Sequence, residues 1–160
     1  MPNTENTILE NWPKATANDR RNRPLCHFAL KQVGVNLDFH LQQYYRDRNL
    51  YLHFFEDFRS LVRICQRYPV DVIMVASSGD MMRDIEMLQA IKRNVFLSII
   101  PVILYHPDPD YNDIVAAYES GVEDFIYGEW RERLVQVRIQ RVIERNRRDL
   151  AVNPSNHLPG

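Results

Sequence analysis

A net charge of −1 over 160 residues argues against a dedicated nucleic-acid binder and against an electrostatic membrane anchor. With 45% hydrophobic and 26% charged side chains, the chain can build an ordinary globular core, most economically one domain with tails. The longest apolar stretch, around Val95 to Tyr105, is too short to span a bilayer, and the amino end carries no apolar run of the signal-peptide kind. Cys26 and Cys65 lie in apolar surroundings without metal-ligand spacing. They are expected to be buried free thiols, and the expected compartment is the cytoplasm.

Residues 1 to 24 hold five Asn, three Pro and seven charged residues without periodicity, which predicts a mobile arm. Ile8, Leu9 and Trp12 are spaced so that a short segment of it can dock. Leu25 to Leu30 is the first predicted strand. Asn36 can then cap a helix in which Leu37, Leu41 and Tyr44 share a face. Tyr51 to Phe55 is the second strand. From Asp57 to Tyr68 a stripe of Phe58, Leu61, Val62, Cys65 and Tyr68 predicts a helix, which Pro69 stops.

Val70 to Ala76 is apolar except for Asp71, as suits a strand buried on both faces of a parallel sheet. Ser77, Ser78, Gly79 and Asp80 form a turn, and Ile85, Leu88 and Ile91 mark the helix that follows as far as Asn94. Ile99 to Tyr105 is the fourth predicted strand, with Pro101 at its entrance. Asp110 can cap a helix through Ile114, Ala117 and Tyr118, with Gly121 as its left-handed end. Asp124 to Tyr127 is a short fifth strand, and a last helix runs from about Arg131 past Val142 toward Leu150. Five strands alternating with five helices predict parallel βαβ units in an α/β sandwich.

Three phrases carry a family resemblance. Pro69 to Ala76, Ile100 to His106, and Gly121 to Trp130 resemble the third, fourth and fifth strands of the receiver domain of two-component response regulators, in order and at family-like spacing. The resemblance spans about residues 25 to 145. It implies a flavodoxin-like three-layer sandwich with strand order 2-1-3-4-5. It also implies a site at the carboxyl ends of the strands, where open parallel sheets place function.

Receivers accept a phosphoryl group on an aspartate at the end of the third strand. Two acids after the first strand hold Mg²⁺, and a hydroxyl and a lysine after the fourth and fifth strands bind the phosphoryl oxygens. Carried onto this sequence, the two acid positions fall on Lys31 and Gln32, and the nucleophile position on Ala76. The hydroxyl position falls on His106 and the lysine position on Gly128. A methyl group forms no acyl phosphate, and Lys31 opposes Mg²⁺ by charge. The resemblance therefore implies a degenerate receiver: no catalytic residue, no metal and no cofactor. Asp80 and Asp84 follow the third strand too far on to replace the nucleophile.

Outside that pocket the alternatives are a pH sensor or a metal ligand at His106, against a polar loop residue, and an anion site at Lys31, against a solvated lysine. In the last helix some of Val135, Ile139, Val142, Ile143 and Leu150 must pack on the sheet, and together they offer a dimerisation or output-connecting surface, with arginines on the outer face and a projecting part past about Arg145. The tail from Asn153 to Gly160 resembles the entry motif of GGDEF-type diguanylate cyclase domains at Asn153, Pro154, Leu158, Pro159 and Gly160, and departs from it at Ser155 and Asn156. Residues 146 to 160 then read as a helical extension and linker to an output domain. The expected function is a non-phosphorylatable regulatory module with protein partners, a homodimer that touches neither nucleic acid nor membrane. The alternative is a small-ligand sensor using Lys31, Ala76, Ser77 and His106.

Overall fold

The computed structural model describes residues 26–32, 36–44 and 49–152. The expected arm of residues 1 to 24 and the motif from Asn153 to Gly160 lie outside them. Ten elements alternate along the chain: β1 (Cys26–Lys31), α1 (Leu37–Tyr44), β2 (Leu50–Phe54), α2 (Phe58–Arg67), β3 (Val72–Ala76), α3 (Met81–Arg93), β4 (Val102–His106), α4 (Tyr111–Glu119), β5 (Asp124–Tyr127) and α5 (Glu132–Val152). The strands form one parallel sheet in the order β2-β1-β3-β4-β5, as the alternation and the resemblance imply.

Because successive strand residues point to opposite faces, the sheet divides the core in two. Phe28, Leu30, Val72, Met74 and Ile103 face α1 and α5, where Leu37, Leu41, Val135 and Ile139 meet them. Ala29, Ile73, Val75, Leu104 and Phe125 face α2, α3 and α4, where Leu61, Leu88, Ile91 and Ala117 close the second layer. Each fully buried Leu, Ile or Phe contributes roughly 1.5–3 kcal/mol through the area it removes from water. All five residues of β3 are buried, which is why its sequence is uninterrupted by charge.

Two expectations are corrected here. Strand β4 begins at Val102, not at Ile99. The Asn94 side chain accepts hydrogen bonds from Phe96 N at 2.9 Å and Leu97 N at 3.0 Å, and Ile100 N bonds to Leu97 O, so the chain stays coiled until Pro101. Val135, Ile139, Val142 and Ile143 are buried in the domain's own core, so they are not available to a partner helix. The apolar stripe of α5 is spent on the sheet, and Leu150 alone of the five keeps partial exposure. Past Arg145 the helix runs on to Val152 with most side chains exposed, and Arg147 Nη2 reaches Asp71 Oδ1 at 3.3 Å.

The helix ends follow local chemistry. Asp57 and Ser60 close a reciprocal capping box on α2, and Asp110 and Asp113 close another on α4. For α1, the Gln32 side chain accepts from Asp38 N at 3.2 Å, while Asn36 contributes its backbone carbonyl to His40 N. Gly121 follows α4 at φ 88°, the left-handed backbone its sequence position predicts. Asp110→Ala is expected to lower the unfolding free energy by about 1 kcal/mol, read as a lower urea midpoint at unchanged slope. Asp110→Asn should recover most of that loss.

Candidate functional site at the carboxyl ends of the strands

Parallel strands end together, so their last residues share one edge of the sheet. Lys31 pairs in register with Val75, Ala76 with Tyr105, and His106 with Tyr127. Gly128 N then bonds to His106 O at 3.1 Å. The five positions named from sequence thus come from adjacent strand ends of one sheet: Lys31 and Gln32 from β1, Ala76 from β3, His106 from β4 and Gly128 from β5.

Three of the side chains at those positions, those of Gln32, Ala76 and His106, do structural work. Ala76 is fully buried, its methyl part of the layer under α1 and α5. Gln32 caps α1. His106 Nδ1 accepts from Asp108 N at 3.1 Å and its Nε2 lies 3.9 Å from Asp113 Oδ2, so the ring organises its own loop. Lys31 is half-buried and makes no ion pair with a described residue. Gly128 sits at φ 83° and its carbonyl accepts the Tyr105 hydroxyl at 3.0 Å. Burial raises the pKa of that phenol, which keeps it a donor. Trp130 packs edge-on against Tyr105 at 5.2 Å and stacks on His40 of α1 at 4.6 Å. Its indole N–H is buried without an acceptor among the described residues.

The acid closest in sequence to β3 that is buried is Asp84, and it is fully engaged. Ser77 Oγ donates to its Oδ2 at 2.5 Å, while Ser78 N and Ser78 Oγ donate to its Oδ1 at 3.0 and 2.8 Å. Asp80 caps α3, its Oδ1 accepting from Met82 N and Arg83 N. The turn after β3 is therefore knit together by its own serines and carboxylates. Among the described residues no group of three His, Cys, Asp or Glu is placed to hold a metal ion, and no helix is long and apolar enough to cross a membrane.

Sequence reasoning missed two constellations. At the β1–β2 edge, His27 Nδ1 and His53 Nε2 share a buried hydrogen bond of 2.9 Å, and Tyr51 and Tyr68 stack on the pair. Burial lowers the pKa of both imidazoles, His53 to about 4. The period-two spacing of Tyr51 and His53 was the available signal. On the opposite edge, Arg138 grips Asp124 through two nitrogens at 2.9 and 2.6 Å and also donates to Phe125 O. On α4, β5 and α5, Tyr111, Tyr118, Tyr127, Leu134 and Val137 expose large apolar side chains.

Comparison with solved structures places this architecture in a known class. The chain has the fold of a response-regulator receiver, or CheY-like, domain. It is similar to the receiver domain of an HD domain-containing protein from Pseudomonas fluorescens Pf-5, at 19% identity and a TM-score of 0.64, over 78% of this chain and 98% of that one. It is likewise similar to the receiver domain of a signal transduction histidine kinase from Syntrophus aciditrophicus, at 20% identity and 0.62, over 74% and 90%. An orphan response regulator of H. pylori matches at 18% identity and 0.61, over 76% and 98%. No family model and no curated protein matches the sequence.

Proposed function

We propose that this chain is a signal-transduction module with a receiver fold that does not take up a phosphoryl group and acts instead through protein contact. The observation that carries the reading is the chemistry at the end of β3. A buried methyl group, Ala76, stands where an acyl phosphate would form, with Lys31 on the neighbouring strand end in place of a metal-binding acid. A carboxylate in reach is no substitute when it is occupied, and Asp84 already accepts from three donors of Ser77 and Ser78. In this reading the module carries out no catalysis of its own.

The contact surface we assign is the α4–β5–α5 face, and its occupant is a second copy of the chain. Tyr127 and Leu134 line one hollow, and the buried Phe125 supports the face from beneath, edge-on to Tyr118 at 5.9 Å and stacked with Tyr127 at 5.1 Å. Monomers rarely leave such a patch open. The Asp124–Arg138 pair beside it closes on itself, so no unmatched charge there opposes the meeting of two identical faces. Helix α5, held on this face, then sets the geometry of an output domain attached after it, of which a diguanylate cyclase is the candidate.

Beryllofluoride or acetyl phosphate with Mg²⁺ is expected to leave the spectrum and the oligomeric state unchanged, and a saturable response to either overturns the reading. In sedimentation equilibrium the chain is expected to be a dimer, and Leu134→Glu with Val137→Glu a folded monomer. A monomeric wild type removes the assigned face.

A further inference from the structure

A hollow of about 240 Å³ opens between the edge strand β5 and helix α5, lined by Glu123, Asp124, Arg138, Arg141, Val142 and Arg145. It lies toward the amino end of β5, at the other end of the sheet from Ala76. Both of its acids are spent inside the domain. Glu123 pairs with Lys92 and accepts from Val102 N at 2.5 Å, and Asp124 takes the fork of Arg138 together with Phe125 N. Arg138 is committed by the same contacts. Arg141 and Arg145 are left, and neither makes a hydrogen bond or an ion pair with a described residue. Glu144, one strip round the helix, accepts from Gln140.

The helix itself does not account for these two cations. No basic residue falls in the last turn of α5, where its dipole favours positive charge, and Arg141 and Arg145 sit well inside its length. Arg138, Arg141, Arg145 and Arg148 succeed one another at steps of three and four residues and so share a strip. Like charges at these spacings oppose helix formation unless an anion sits among them. Each guanidinium presents a planar fork that matches phosphate oxygens, and forks four residues apart are separated by roughly 6 Å along the axis.

We propose that this hollow binds a ligand carrying two linked phosphate groups, one held by Arg141 and one by Arg145, with Arg138 and Asp124 as the fixed wall. The concavity between two elements suits a small ligand rather than an extended polymer, and the net charge of −1 gives a nucleic acid no wider basic surface to follow. A ligand there adds a contact between β5 and the helix that leaves the domain, at a site independent of the strand-end pocket.

The test is calorimetric titration of the full chain with inorganic pyrophosphate at constant ionic strength. Saturable binding to one site is expected, at least about tenfold weaker in Arg141→Gln/Arg145→Gln, a variant that keeps the unliganded melting temperature because both side chains are exposed. Orthophosphate is expected to bind more weakly than pyrophosphate. A nucleoside diphosphate tighter than pyrophosphate assigns the natural ligand to nucleotides, and equal affinity assigns recognition to the phosphates alone. No saturable binding at millimolar pyrophosphate, equal affinity in the double variant, or equal affinity for orthophosphate overturns the proposal. So does binding of duplex DNA without binding of pyrophosphate.

Discussion

Replacing Asp84 by alanine is expected to lower the unfolding free energy by about 3 kcal/mol, because the change strands donors rather than merely deleting a contact. Asp84 is 3% exposed, and Ser77, whose hydroxyl donates to it, is itself buried. With the carboxylate gone, the Ser77 hydroxyl loses its acceptor at a site with little access to water, and the Ser78 amide loses its acceptor at the exposed side of the turn. The turn from β3 into α3 loses the bonds that set its shape. Asp84→Asn should cost less, since its amide oxygen still accepts while its NH₂ group faces donors. Ser77→Ala should cost about 1 kcal/mol, and the double variant Ser77→Ala/Asp84→Ala less than the sum of the two, because the groups are in contact. Urea unfolding of the four proteins checks this through midpoints at constant slope. An Asp84→Ala protein as stable as wild type would show that the carboxylate is not the keystone of the turn and would return it to consideration as a reactive group.

The same contacts explain which features could be read from the chain alone. Strand β3 was legible because Val72 to Ala76 is apolar without a break, and α4 because Asp110 and Gly121 mark its two ends by local rules. The alternation of such elements pointed to parallel βαβ units, and the family resemblance supplied the strand order. The edge at which Lys31, Gln32, Ala76, His106 and Gly128 meet followed from that order, since parallel strands end on one side. What failed depended on competition or on distance. Ile99, Ile100 and Pro101 read as strand, but the Asn94 side chain holds the preceding backbone in a turn. Val135, Ile139, Val142 and Ile143 fit two uses equally well, a core strip or a helix partner, and periodicity does not say which surface covers them. Asp84 stands seven residues from Ser77, His53 twenty-six from His27, and Arg147 seventy-six from Asp71. No local pattern joins such pairs.

The histidine pair leads to the second large expected effect, a loss of stability on mild acidification. His53 has no exposed surface and its pKa lies at about 4, against 6.5 for an exposed imidazole, because burial and the neighbouring His27 both disfavour its charge. His27 is lowered by burial, with Asp71 opposing that shift. Between these values the unfolded chain binds more protons than the folded one. Stability is therefore complete above about pH 6.5 and falls as the pH drops toward 4, by about 2–3 kcal/mol for His53. The carboxylates contribute chiefly below pH 5, so the decline between pH 6.5 and 5 belongs to the histidines. His53→Phe should flatten that part of the curve while His27 keeps its smaller share. An unchanged slope in the variant would remove the assignment. The decline should also begin locally. One imidazole must accept for the other to donate, and a doubly protonated pair has two donors facing each other at the 2.9 Å contact. Strand β2 is an edge strand paired only with β1, so at pH 5 the Phe55 amide, which bonds to Leu30 O, and the His53 amide on the same side of the strand are expected to exchange with solvent before those of β3 do. Asp71 reaches from the same pair to Arg147 on α5, its Oδ2 accepting from His27 N and its Oδ1 from the guanidinium. Acid that opens the β1–β2 edge should therefore loosen the end of the helix that carries the output, and the amides near Arg147 should lose protection in the same pH interval.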